Sequence, residues 1–114
     1  MGIVDLDLTV RVDGDASVVT AAGDIDIQTV PALTDALDEA LGNRPGRVVV
    51  DLQQVGFLDS SGLGVLVGAQ KRARAQNSAV VVVASADNVT KLFRITRLTE
   101  VFPIYASVED AVTG

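Results

Sequence analysis

Apolar and polar residues alternate singly at the start of the chain. Leu6, Leu8, Val10 and Val12 are each separated by one polar residue, the period of two expected of a strand with one buried face. Asp13-Gly14-Asp15 supplies a turn and Ser17 to Ala22 a second strand, so the chain opens on a hairpin. The period then changes. Thr29-Val30-Pro31 begins a helix, with Thr29 at the N-cap and proline in the first turn, where its missing N–H costs nothing. Leu33, Ala36, Leu37, Ala40 and Leu41 recur at helical spacing on its inner face, and Gly42-Asn43 and Pro45-Gly46 end it.

The β-branched run Val48-Val49-Val50 opens a buried strand that continues into Asp51-Leu52. Phe57-Leu58 leads to Asp59-Ser60-Ser61-Gly62 and a second helix running to about Gln76. Leu63, Leu66, Val67 and Gln70 share one face of that helix, and Lys71, Arg72 and Arg74 cluster near its end. Val80 to Ala84 reads as another buried strand. Asp87 is placed as the cap of a third helix whose Val89, Leu92, Phe93 and Ile95 face inward, and Phe57, Phe93 and Phe102 are assigned to the core. Val101 to Tyr105, interrupted by Pro103, reads as an edge strand, and Ser107-Val108-Glu109-Asp110 has capping-box spacing for a short last helix.

The predicted order is β-β-α-β-α-β-α-β-α. That is an α/β architecture: a mixed, mostly parallel sheet of about five strands with about four helices, in one domain over residues 1–114.

Composition narrows what such a domain can do. The chain is 114 residues long and 48% hydrophobic, enough for a real core and too apolar for disorder. It contains no Cys, His or Trp. That excludes thiolate chemistry, a Ser-His-Asp triad, phosphohistidine and an ordinary zinc site. Fifteen acidic and nine basic side chains leave a net charge of −6, which argues against direct binding of nucleic acid. The acidity is uneven: residues 1–57 carry −7 and residues 58–114 carry +1. Met1 to Val10 has no basic or uninterrupted apolar segment of a secretion signal. The apolar run Ala79 to Ala84 is far short of the roughly 20 residues that cross a bilayer. These features predict a cytoplasmic protein without a membrane partner.

Few motifs offer catalysis. Gly62-Leu63-Gly64-Val65-Leu66-Val67-Gly68 has its third glycine one place late for a dinucleotide fingerprint, and no Gly-Lys-Ser or Gly-Lys-Thr phosphate loop occurs. Asp24, Asp26 and Asp59 fit caps and turns better than a metal cluster, since no ligand motif surrounds them. The remaining candidate is Asp59-Ser60-Ser61-Gly62. By local pattern it is an N-cap, yet two serines at a strand-to-helix corner are also placed to accept a phosphoryl group. That group would add about −1.5 to −2 charges at pH 7.

Phe57-Leu58-Asp59-Ser60-Ser61-Gly62-Leu63-Gly64 resembles the signature of bacterial anti-sigma factor antagonists, small proteins made of a stand-alone STAS domain. Gly23-Asp24-Ile25-Asp26 is similar to that family's Gly-acidic-aliphatic-Asp motif, and Thr29 to Leu37 to its first helix. Lys91 to Ile95 with Leu98 to Phe102 is similar to its C-terminal block. The resemblance implies a STAS fold and a non-enzymatic switch. The unphosphorylated protein binds an anti-sigma factor that is also a serine kinase, and so releases a sigma factor. Phosphorylation of Ser60 ends the binding, and a metal-dependent serine phosphatase resets it. It further implies a docking surface of Asp26, Thr29, Asp59, Ser60, Ser61, Gly62 and Leu63, with Asp26 holding the loop around Ser60. No cofactor or metal and a monomer or weak dimer are expected, and the acidic half is predicted to lie near Ser60 and face a basic partner. Two alternatives are a scaffold subunit of a larger STAS-domain assembly and a small nucleotide- or phosphate-binding enzyme. Arg97 departs from the family, which commonly has glycine there. If the position needs a positive φ, arginine would cost on the order of 1 kcal/mol.

Overall fold

The computed structural model describes residues 6–114. The first five residues of the Met1 to Val10 stretch considered above lie outside the described residues. Strands β1 (Leu6–Asp13) and β2 (Ala16–Ile25) form the hairpin, followed by helix α1 (Val30–Gly42), β3 (Arg47–Leu58), α2 (Ser60–Ala75) and β4 (Val80–Val83). Helix α3 (Asp87–Ile95), a 3-10 turn over Leu98–Glu100, β5 (Ile104–Tyr105) and α4 (Val108–Thr113) complete the chain. The α/β order matches the one predicted from the sequence.

The five strands lie side by side in chain order, with β1 antiparallel to β2 and every later neighbour parallel. Parallel crossovers are right-handed, so strands added always in one direction carry their connecting helices to one face. Accordingly, residues of α1, α2 and α3 share a core cluster with Val19, Val48, Val50, Leu52, Val80 and Val82. Helix α4 covers part of the other face, where Ala111 meets Ala16, Val18, Val49, Val81 and Val83. Double coverage is why the valine runs of β3 and β4 do not alternate: both sides of these strands are dry.

Four local readings are corrected. Phe57 is half exposed rather than core: it neighbours the inward Leu58 and so points to the opposite face of the sheet, where β3 advances two residues as β2 advances one between the pairs Gly23–Val55 and Asp24–Phe57. A similar shift lies between Thr20 and Ala22, so the inward positions of β3 run Leu52, Val55, Leu58 at intervals of three. Gly23, with φ of 123°, sits at the second irregularity, in a conformation open to glycine. Ile95 is 68% exposed: two residues beyond the buried Phe93, it lies about 200° around the helix. Asp87 is the first residue of α3 rather than its cap. Ala86 holds the cap position without a side-chain bond, and the Asp87 carboxylate suits the positive end of the helix instead. The last strand is only Ile104–Tyr105, since Val101 and Phe102 finish the 3-10 turn through bonds to the Leu98 carbonyl.

A buried amide ties the far end of α2 to the sheet. Gln70 Nε2 donates to the carbonyls of Val80 and Val101, each at 2.9 Å, and its Oε1 accepts from Val80 N at 2.7 Å. Nearby, Arg97 adopts φ 60° and ψ 21°, the left-handed conformation that glycine tolerates without a Cβ clash. Arg97→Gly is therefore expected to raise stability by about 0.5–1 kcal/mol in urea unfolding. A loss of stability instead would show that the arginine side chain outweighs its backbone.

Candidate functional site

The site forms where β2 and β3 end side by side. Asp24 lies opposite Phe57 and Ile25 opposite Leu58, and the Asp59 N–H donates to the Ile25 carbonyl at 3.2 Å. Each strand then turns sharply into a helix, so two corners distant in sequence share one edge of the molecule.

At the first corner the Asp26 carboxylate accepts from the N–H groups of Gln28 (2.9 Å) and Thr29 (3.1 Å). The Thr29 hydroxyl accepts from Asp26 N at 2.9 Å and reaches back to donate to the Asp24 carbonyl at 2.9 Å. Thr29 stands at the N-cap of α1 as expected, yet its side chain makes no capping bond and closes the turn behind it instead. Asp26 likewise secures its own turn, in the manner of an aspartate that mimics a backbone turn. The expected hold on the Ser60 loop runs instead through the backbone bond between Asp59 and Ile25.

At the second corner Asp59 is the N-cap of α2. Its Oδ1 accepts from Ser61 N (3.0 Å), Ser61 Oγ (2.8 Å) and Gly62 N (3.3 Å). The Ser61 hydroxyl, first among these contacts, holds the Asp59 carboxyl below the usual carboxylate range. Ser60 is the first residue of α2 and is exposed. Among the described residues its hydroxyl has no hydrogen-bond partner, whereas that of Ser61 is engaged.

Gly62 and Leu63, expected on the docking surface, are buried, Leu63 being only 6% exposed. They shape the surface from beneath. A Cβ on Gly62 would fall 2.5 Å from both Ile25 Cγ2 and Leu58 Cδ1, so glycine lets the start of α2 press onto the strand ends. Gly62→Ala is expected to destabilise the fold by about 1–3 kcal/mol and displace the Ser60 corner. Urea unfolding reads the first effect and amide chemical shifts of residues 59–63 the second; unchanged values for both would refute the close fit.

The structure adds two residues to the site. Ile27 is 71% exposed in the Asp26–Thr29 turn, and Phe57 is 50% exposed at the end of β3. A sequence signal existed for each. Adjacent strand residues point to opposite faces, so Phe57 and Leu58 could not both enter one core, and Ile27 is a lone apolar residue in a polar turn. Asp24 is exposed at the same edge and Asp26 and Asp59 are half-buried, so two carboxylates from residues 1–57 share the edge that bears Ser60. Among the described residues no cluster of three acidic side chains is arranged to hold a metal. Lys71, Arg72 and Arg74 stand at the other end of α2, where Arg72 pairs with Asp38. A cavity of about 240 Å³, lined in part by Asp38, Leu41, Arg44 and Gln76, also lies at that far end.

A family model described as "Mlab, STAS domain" matches residues 8–105. The chain belongs to the STAS-domain family. It is 38% identical over 103 residues to the anti-sigma-B factor antagonist of Listeria monocytogenes, covering 90% of this chain and 89% of the relative. It is 30% identical over 107 residues to the anti-sigma-F factor antagonist of Mycobacterium tuberculosis, covering 94% and 87% respectively. The crystal structure of an anti-sigma factor antagonist from Mycobacterium paratuberculosis superposes with a TM-score of 0.87 at 31% identity. That superposition covers 95% of this chain and 92% of the other. All three are named for the anti-sigma factors they antagonise, and the superposed crystal structure shares the fold of this chain.

Proposed function

We propose that this protein is an anti-sigma factor antagonist controlled by phosphorylation of Ser60. The observation that carries the reading is the contrast between neighbouring hydroxyls: Ser60 is exposed and unengaged, while Ser61 is bonded to Asp59. In the unmodified state the edge formed by Asp24, Asp26, Ile27, Phe57 and Ser60 docks on an anti-sigma factor with serine-kinase activity, and a sigma factor is released. Exposed Ile27 and Phe57 supply apolar contact, and the carboxylates favour a basic partner surface.

Transfer of the ATP γ-phosphoryl group forms a bond to Ser60 Oγ as the bond to the β-phosphate breaks, leaving ADP, while the hydroxyl proton passes to a base on the kinase. A metal-dependent serine phosphatase restores the hydroxyl by hydrolysis. The protein acts in the cytoplasm as one domain over residues 1–114, a monomer or weak dimer without cofactor, and itself catalyses nothing.

Incubation with the cognate anti-sigma factor and ATP, followed by peptide mass spectrometry, tests the reading. Phosphate on Ser60 and none on Ser61 is the expected result. Stable binding with modification only at Ser61, or none, would overturn the assignment of Ser60.

A further inference from the structure

We propose that Asp59 keeps a phosphate on Ser60 turned outward, by occupying the donors with which the first turn of α2 would otherwise draw it in. This inference rests on the phosphoserine switch above and concerns how that switch is read. The first turn of a helix presents unpaired N–H groups and the positive end of its dipole, which together attract a phosphate. Here Ser61 N and Gly62 N already donate to Asp59 Oδ1, as does the Ser61 hydroxyl, and Leu63 N is taken by the Asp59 carbonyl. The Ser60 amide alone is left.

A phosphate on Ser60 therefore meets an ionised carboxylate where a free helix end would offer it amides. The other ionisable groups at the edge reinforce this. Asp24 and Asp26 lie on the β2–α1 corner, and Asp87 begins α3, whose Asn88 side chain donates to the Gly56 carbonyl at 2.8 Å. Lys91 is the nearest basic residue along α3, one turn beyond Asp87. Held in solvent among carboxylates, the dianion confronts the partner in full, and the corner need not rearrange for the signal to register.

The test uses full-length protein with phosphoserine incorporated at position 60 during translation, so it needs no kinase. Phosphorus and amide NMR titrations between about pH 5 and 8 follow the phosphate and the N–H groups of Ser61 and Gly62. In the wild type those two amides should stay in place while the phosphate ionises. In Asp59→Ala both should move downfield with the phosphate, whose midpoint should fall by about half to one pH unit. Asp59→Asn keeps the acceptor oxygen and removes the charge, so its midpoint should fall while the amides stay still. Wild-type amides that track the phosphate would overturn the proposal, as would a midpoint unchanged in both variants. If Asp59→Ala does not fold, the Asp59→Asn midpoint decides alone. An outward phosphate on a serine that no kinase modifies would instead sink the switch itself, so the two failures are distinguishable.

Discussion

Ser60→Ala is expected to bind the anti-sigma partner as tightly as the unmodified protein and to remain bound when ATP is added. Ser60→Asp should bind about 30-fold more weakly, and the phosphoprotein up to several thousand-fold more weakly. The reasoning is electrostatic. Docking over an exposed Ser60 buries whatever that residue carries, and a charge left in an interface without a cation costs roughly 2–5 kcal/mol, at 1.4 kcal/mol per tenfold in affinity. Aspartate carries one charge and a phosphate nearly two, which orders the variants. The carboxylates already at this edge, Asp24 and Asp26, deepen the effect by leaving the added anion without a cation of its own. Isothermal titration of the anti-sigma factor with each form reads it directly. Equal affinity of Ser60→Ala and Ser60→Asp would remove Ser60 from the interface.

The second large effect is on stability. Phe93→Ala should cost about 3–5 kcal/mol in chemical unfolding, the range for truncating a fully buried aromatic residue. Phe93 has no exposed surface, and its ring meets that of Phe102 edge to face, with centroids 5.9 Å apart and planes at 88°. The pair joins α3 to the turn before β5, so its loss opens a cavity between segments that no other aromatic can fill. Ile95→Ala, two residues away and exposed, should stay within about 0.5 kcal/mol of wild type. Similar losses for the two variants would mean that α3 packs through its other face.

Much of the fold was legible in local pattern. The alternation of Leu6 to Val12, the helical spacing of Leu33 to Leu41 and the unbroken valine runs each have one inexpensive solution. The capping spacing of Ser107 likewise reappears as a bond from Asp110 N to Ser107 Oγ at 3.1 Å. The errors fall where a neighbour intervened. Phe57 lies on the face opposite Leu58, and whether that face is covered depends on α4, whose apolar cluster with the sheet does not include Phe57. Ile95 was misplaced because four apolar residues in α3 exceed the width of one buried stripe, and only packing decides which is left out.

The candidate site divides in the same way. Asp59-Ser60-Ser61-Gly62 marks a strand-to-helix corner by itself, since a short acceptor side chain before an apolar helix satisfies amides that have no other partner. Which serine is free, however, depends on the direction in which Asp59 folds over the first turn. That direction follows from the backbone bond between Asp59 and Ile25 and from the contact of Gly62 with Ile25 and Leu58. The uneven acidity was visible along the chain, but its nearness to Ser60 was not: 33 residues separate Asp26 from Asp59. Elements and turns are set by interactions within a few residues, so the sequence alone determined them. The meeting of two corners at one edge required parallel pairing of β2 with β3 across a whole helix, and only the tertiary structure could decide it.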